Sequence, residues 1–130
     1  MRSFELPLTV QPGDIDGLGH VNNVVYLRWM QQAAGAHWEA AATPAQRAAV
    51  HWVVVRHEIE YKAPAFAGEQ LVVRTRVGEA TAATWERWSE VRRVGDDRLL
   101  ASCRSVYVAL DPGSGRPRRV DAGLRAPFEA

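Results

Sequence analysis

The feature that most restricts what this chain can fold into is one uninterrupted helical stretch. From Asn22 or Asn23 to about Ala41 no proline occurs and Gly35 is the sole interior glycine, whereas the segments around it alternate with the period of strands. An asparagine opens such a helix well, because its side chain caps a free backbone amide. Tyr26, Trp29, Met30, Ala33 and His37 recur at helical spacing, and Leu27, Ala34, Trp38 and Ala41 widen the stripe. Such a pattern predicts a helix enclosed over most of its circumference. The small run Ala33-Ala34-Gly35-Ala36 would let another backbone or an extended ligand approach its middle. Thr43-Pro44 ends the element, since the residue before a proline is pushed out of helical geometry.

The rest of the chain supplies what this helix packs against. Phe4, Leu6, Leu8 and Val10 alternate with Glu5, Pro7 and Thr9, and the proline marks an edge strand. Val53, Val55, His57, Ile59 and Tyr61 are expected on one face of a long strand, with Val54, Arg56, Glu58, Glu60 and Lys62 on the other. After the turn Ala63-Pro-Ala-Phe-Ala-Gly68, Leu71, Val73, Thr75 and Val77 form a return strand. Two further runs, about Ala83 to Val94 and Arg98 to Leu110, flank the hairpin turn Gly95-Asp96-Asp97. Asp111-Pro-Gly-Ser-Gly115 is another turn, with a short tail after it. One long helix and a run of strands joined mostly by short turns define an α+β fold, an antiparallel sheet carrying a helix on one face.

A length of 130 residues suits one core, so a single domain over residues 1–130 is expected. With 47% hydrophobic and 24% charged residues the composition is that of a globular chain rather than a disordered one. Sixteen basic residues against fifteen acidic ones leave a formal charge of +1, which provides no field for holding nucleic acid. Lys62 is the only lysine, and the arginines are scattered as on solvated faces. The single cysteine, Cys103, allows no intrachain disulfide and is expected to be a buried, inert thiol. No apolar run approaches the roughly 20 residues of a membrane span, so a soluble cytoplasmic protein is expected, without membrane association.

Chemistry concentrates in the loop before the helix. Between Val10 and Met30 the chain places Asp14, Asp16 and His20 among Gly13, Gly17 and Gly19, directly ahead of Asn22 and Asn23. A helix N-terminus offers unpaired amides and partial positive charge, so a carbonyl oxygen docked there is polarised. A carboxylate beside it could attack that carbonyl or activate water. Asp14 is read as a loop-holding residue and His20 as a second-rank candidate that either orients Asp16 or shapes the turn. A metal held by Asp14, Asp16 and His20 would need further ligands, and none is expected. His37 and His57 are read as core or interface histidines, His51 has no supporting context, and no Cys–His pairing is evident.

This stretch resembles the hot-dog-fold acyl-CoA thioesterases of the 4-hydroxybenzoyl-CoA thioesterase family, in the branch with an Asp-x-Asp-x-x-Gly-His-Val-Asn-Asn signature. Asp14, Asp16, Gly19, His20, Val21, Asn22, Asn23 and Tyr26 carry the likeness, and Val55-Arg-His-Glu-Ile-Glu-Tyr-Lys-Ala-Pro64 with Gly68-Glu69 extends it to the central strand. The resemblance implies a long central helix wrapped by a five- or six-stranded antiparallel sheet. It implies Asp16 as nucleophile or general base, with the Asn23 backbone amide as the oxyanion donor. It implies no cofactor beyond the coenzyme A of the substrate, and a homodimer or homotetramer whose subunits join sheets with sites at their interface. Family branches carry Tyr or His where this chain has Asn23, which turns the expectation from an aromatic acyl group to an aliphatic one. Trp85 and Trp88 have opposite parity on their strand, so both sheet faces are expected to meet apolar partners, again favouring an oligomer.

Two rival readings stand beside hydrolysis of acyl-CoA. One is hydrolysis of acyl groups from an acyl carrier protein, and the other is a non-catalytic acyl-CoA-binding module, since a fold by itself does not fix a function. Arg74, Arg76, Arg92 and Arg93 could meet coenzyme A phosphates, but an exposed strand face accounts for them equally well.

Overall fold

The computed structural model describes residues 2–129, so positions 1 and 130 of the expected domain lie outside the described residues. Five strands, β1 (Phe4–Thr9), β2 (His51–Tyr61), β3 (Gln70–Ala80), β4 (Thr84–Arg93) and β5 (Leu99–Leu110), form one antiparallel sheet in the order β1-β3-β4-β5-β2. The long helix α1 (Asn23–Ala41) is followed by two short ones, α2 (Pro44–Ala49) and α3 (Ala122–Glu129). The fold is the α+β arrangement expected, with five strands. Pro7 does lie on an edge strand, where its missing amide costs no ladder bond.

Asn22 caps α1, its side chain accepting the Val24 amide at 3.2 Å. The residues read at helical spacing, Tyr26, Trp29, Met30, Ala33 and His37, are buried together with Val25. The helix is less enclosed than its composition suggested, because Gln31, Gln32, Gly35 and Glu39 remain exposed. The reason is placement: α1 packs chiefly over β1, β3 and β4, so the sheet towards β2 is less fully covered by it.

Thr43-Pro44 is a restart as well as a stop. The Thr43 hydroxyl accepts the Gln46 amide at 3.1 Å and the Gln46 side chain accepts the Thr43 amide at 3.0 Å. That reciprocal cap, with a proline at the first helical position where no donor is needed, starts α2. The tail after Gly115 also folds: Asp121 accepts the Leu124 amide at 2.8 Å, and α3 buries Leu124 and Phe128. Only two apolar residues four apart, with Pro127 between them, mark this helix, too weak a pattern to read as one.

Two strand expectations are corrected. β2 pairs with β5, not with β3, because residues 62–69 cross the end of the sheet instead of turning tightly. The crossing is anchored where Val21 N donates to Ala65 O at 2.9 Å and Ala65 N donates to the Tyr26 hydroxyl at 3.1 Å. Within β2 a bulge at Val55 shifts the register between Val54 and Arg56. Ahead of the bulge Trp52 and Val54 face inward and Val53 and Val55 outward; beyond it His57 and Ile59 face inward. One extra residue reverses the parity of everything on one side of it.

Two apolar clusters share the inner face of the sheet. One gathers Val10, Val21, Tyr26, Trp29, Leu71, Val73 and Leu100 under the first half of α1. The other gathers Val77, Trp85, Ala109, Leu124 and Phe128, with Trp38 and Trp52 packed against it. Phe128 is fully buried, edge-on to Trp85 at 5.3 Å and stacked on Trp38 at 5.8 Å. None of the described helices is long and apolar enough to cross a membrane.

Candidate active site

The loop ahead of α1 is folded by its own backbone. Pro12–Asp14 form a 3-10 turn, and a bridge between Ile15 and Val21 doubles the chain back so that Asp16 lies beside the residues entering the helix. Asp16 N donates to His20 O at 3.0 Å and Gly19 N donates to Asp16 O at 3.1 Å. The turn is closed by Gly19 at φ 87°, a left-handed conformation that side chains resist. Asp14 is buried and committed: Oδ2 accepts the Gln11 amide at 2.9 Å and Oδ1 accepts Arg28 Nη2 at 2.8 Å. It holds the loop, as read from the sequence.

Asp16 is placed differently. Its Oδ1 accepts the Leu18 amide at 2.9 Å, while Oδ2 takes no donor among the described residues, and the side chain is partly exposed. His20 Nδ1 lies 4.0 Å from Asp16 Oδ1 and 3.3 Å from Val21 O, so the ring stands beside the carboxylate without bonding to it directly. At the helix start, Asn22 N donates to Asp14 O and Val24 N to the Asn22 side chain, whereas the Asn23 amide takes no acceptor among the described residues. A carboxylate oxygen without a donor and an unused helix N-terminal amide therefore share one short loop. The rim is apolar, with Leu18, Val24, Tyr61 and Phe66 all exposed.

Tyr61 was not singled out in the sequence, yet its hydroxyl donates to Asn23 O at 3.0 Å. The C-terminal end of β2 thus sits at the N-terminus of α1. At the other end the rings of Trp38 and Trp52 meet edge-on at 5.7 Å, so β2 runs antiparallel to α1. Further along the helix, from Gln31 to Trp38, a cavity of about 300 Å³ lies between α1 and the sheet, lined by Ala34, Gly35, Trp38, Trp52, Trp85 and Arg87 among others. Ala34 and Gly35, from the small run that leaves room for an extended ligand, line this space with three of the five tryptophans.

The other expected residues fall into place as follows. His37 is buried, and desolvation, followed by the charges of Arg87 and Arg2, lowers it to about 4; His51 is exposed. His57 Nδ1 lies 2.7 Å from Ser105 Oγ, and burial lowers its pKa. Contrary to the sequence reading, a Cys–His pair does exist, with Cys103 Sγ 3.9 Å from His57 Nδ1. It is not a nucleophile in waiting, because Ser105 holds the ring nitrogen and burial pushes the thiol pKa up. Of the four arginines weighed for phosphate, Arg74 pairs with Glu5, Arg92 with Glu90 and Arg93 with Glu69, while Arg76 lies over the Trp88 ring at 5.9 Å. Among the described residues no group of three or more His, Cys, Asp or Glu is arranged to hold a metal.

A helix laid over one half of an antiparallel sheet, with a carboxylate loop at its N-terminus, is the arrangement of the hot-dog class. Residues 10–128 match the model of the thioesterase-like superfamily, and the chain belongs to that family. Among solved structures, a 4-hydroxybenzoyl-CoA thioesterase variant complexed with 4-hydroxybenzoyl-CoA superposes with a TM-score of 0.88 at 19% identity, covering 98% of this chain and 99% of that one. A 1,4-dihydroxy-2-naphthoyl-CoA thioesterase from Synechocystis gives 0.85 at 19% identity, covering 98% and 96%. The dynemicin thioesterase gives 0.87 at 21% identity, covering 98% and 95%. At these identities the likeness establishes the fold.

Proposed function

We propose that this protein hydrolyses acyl-CoA thioesters, with Asp16 as the reacting carboxylate and the Asn23 amide as the donor that polarises the thioester carbonyl. The observation that carries this reading is the pairing of an uncommitted Asp16 oxygen with an unused amide at the start of a 19-residue helix. As the carbonyl carbon becomes tetrahedral, its oxygen gains negative charge, and an amide already aimed along the helix dipole meets that charge without reorganising. Asp16 either attacks the carbon itself, giving a mixed anhydride that water cleaves, or takes a proton from the water that attacks. In both routes the C–S bond breaks and coenzyme A departs as a thiolate, a good leaving group that demands no strong general acid. His20, whose Nδ1 lies 4.0 Å from Asp16 Oδ1, would orient Asp16 or its water in this scheme. The likeness to the Asp-x-Asp-x-x-Gly-His-Val-Asn-Asn branch supports the same assignment, and the tryptophan-lined cavity suits an aliphatic acyl chain.

The test is thiol release from a series of acyl-CoA thioesters, with wild type beside Asp16→Asn and folding checked by circular dichroism. Turnover that Asp16→Asn loses supports the reading. Equal rates in the two proteins, or binding of acyl-CoA with no turnover, would replace it by a misplaced site or a binding module.

Two copies are further proposed to join through β2, which ends the sheet with an unpaired ladder and with Val53 and Val55 exposed beside it. The open side of α1 would then be covered by the partner. Light scattering should give twice the 14.4 kDa chain mass or a higher multiple, and Val53→Asp with Val55→Asp should reduce it to one chain. A wild-type mass of one chain would refute the pairing.

A further inference from the structure

The cavity contains a charge that its walls do not explain. Arg87 lies on the inward face of β4 between Trp85 and Ser89, and is only 8% exposed. Its Nη1 donates to Thr75 Oγ1 at 2.9 Å and reaches His37 Nδ1 at 3.0 Å, both neutral acceptors. Its Nε and Nη2 take no acceptor among the described residues, and no carboxylate there forms an ion pair with it. Glu86, the neighbouring acid, turns to the opposite face, where Arg104 Nε donates to it at 2.5 Å and Trp88 Nε1 at 3.0 Å. Burial lowers Arg87 to about 10, so it is still a cation at neutral pH. A buried, unpaired guanidinium is among the most costly groups a core can hold. Here it lines a mostly apolar cavity, in which Tyr107, Gln31 and Glu86 are the other polar residues of the wall.

We infer that the cavity receives a carboxylate carried at the end of an apolar chain, with Arg87 as its counter-ion and the tryptophans around the chain. This rests on the thioesterase reading and refines it: the preferred substrates would be ω-carboxyacyl-CoA thioesters. The length is consistent. Gly35 stands twelve residues along α1 from Asn23, roughly 18 Å at 1.5 Å per residue. An extended chain advances about 1.2 Å per bond, from about 3.6 Å per three-bond residue, so on the order of fifteen bonds would span it. A guanidinium fork binds a carboxylate through two parallel bonds, which an apolar chain end cannot replace. The same chemistry could arrive as a free fatty acid lying in the cavity head first.

Two measurements separate these sources, and the second stands apart from the hydrolysis reading. First, thiol release is compared for the CoA thioesters of palmitic acid and hexadecanedioic acid with wild type, Arg87→Met and Arg87→Lys. A charge-assisted bond of about 1.5–3 kcal/mol predicts at least a tenfold preference in kcat/KM for the dioic thioester in wild type. Arg87→Met should abolish that preference and Arg87→Lys should keep part of it. Second, tryptophan fluorescence follows binding of free palmitate and free hexadecanedioate to Asp16→Asn, where no turnover is needed. Gly35→Leu is a second, independent variant, since a side chain there meets nothing within 4 Å and would project beside the cavity; it should weaken both ligands. Arg87-dependent binding without an Arg87-dependent turnover preference would assign the site to free fatty acid. Carboxylate binding with no thioester cleaved at all would keep the pocket and end the hydrolysis reading. Turnover with no preference, together with binding that Arg87→Met does not change, would overturn the inference.

Discussion

The two ends of α1 are built on opposite principles. At its N-terminus, Asp14, Asp16, His20, Asn22 and Asn23 come from one contiguous loop held by backbone bonds a few residues apart. At its C-terminal half, the cavity is assembled from α1, all four long strands and α3, with neighbours such as Arg87 and His37 separated by fifty positions. The first region sets polar groups inside an exposed apolar rim, whereas the second is a largely aromatic cavity that holds the Arg87 guanidinium. Chemistry can be written in a short motif because its geometry is local, while the shape that selects a substrate depends on packing between distant segments.

That contrast can be broken or sharpened by substitution. The largest effect belongs to the local end: Asp16→Asn should lower kcat/KM by on the order of 10² to 10⁴, the usual worth of a positioned acid–base or nucleophilic carboxylate, with the melting temperature little changed. At the assembled end the order reverses, and Phe128→Ala should cost about 3–5 kcal/mol in urea unfolding, because it empties a fully buried aromatic site under Trp38 and Trp85. A midpoint unchanged by Phe128→Ala would mean that α3 does not close the second cluster.

His37 gives the next effect. Its folded value of about 4 lies below the ordinary 6.5, so between these values the unfolded chain holds a proton that the folded chain lacks. Stability therefore falls as pH drops from 6.5 towards 4, by at most about 3 kcal/mol. The difference between wild type and His37→Gln, followed by unfolding across that range, should show this slope; parallel curves would refute it. The smallest effect is expected from Asn23→Ala. The proposed polarising donor is a backbone amide, so kcat should change by less than about threefold. A large loss of kcat would put the side chain, not the amide, in the reaction.

The legibility of the molecule follows the same division. The helix was readable to within a residue because Asn22 caps it and its buried positions repeat every three to four residues. Asp14 was readable as a loop anchor because turn chemistry acts over a few residues. The inward parity of β2 was not, because Val54 and Val55 are equally apolar and nothing in them announces a bulge. Nor was its partner, since the crossing from β2 to β3 depends on Tyr26 and Val21 catching Ala65. Arg87 did leave a trace that went unread: it shares parity with Trp85 and Val91, which places a charge on the apolar face of β4. Tyr61 left none, because its bond to Asn23 O joins residues 38 apart.

By itself, then, the sequence determined the α+β class, the extent of the central helix and the loop that could hold chemistry, all set by propensity, periodicity and turn geometry over short spans. Tertiary structure alone decided the strand order, the uneven cover of the sheet and the cavity with its buried cation, because these arise where segments far apart in the chain exclude water from one another and satisfy or leave unsatisfied each other's polar groups.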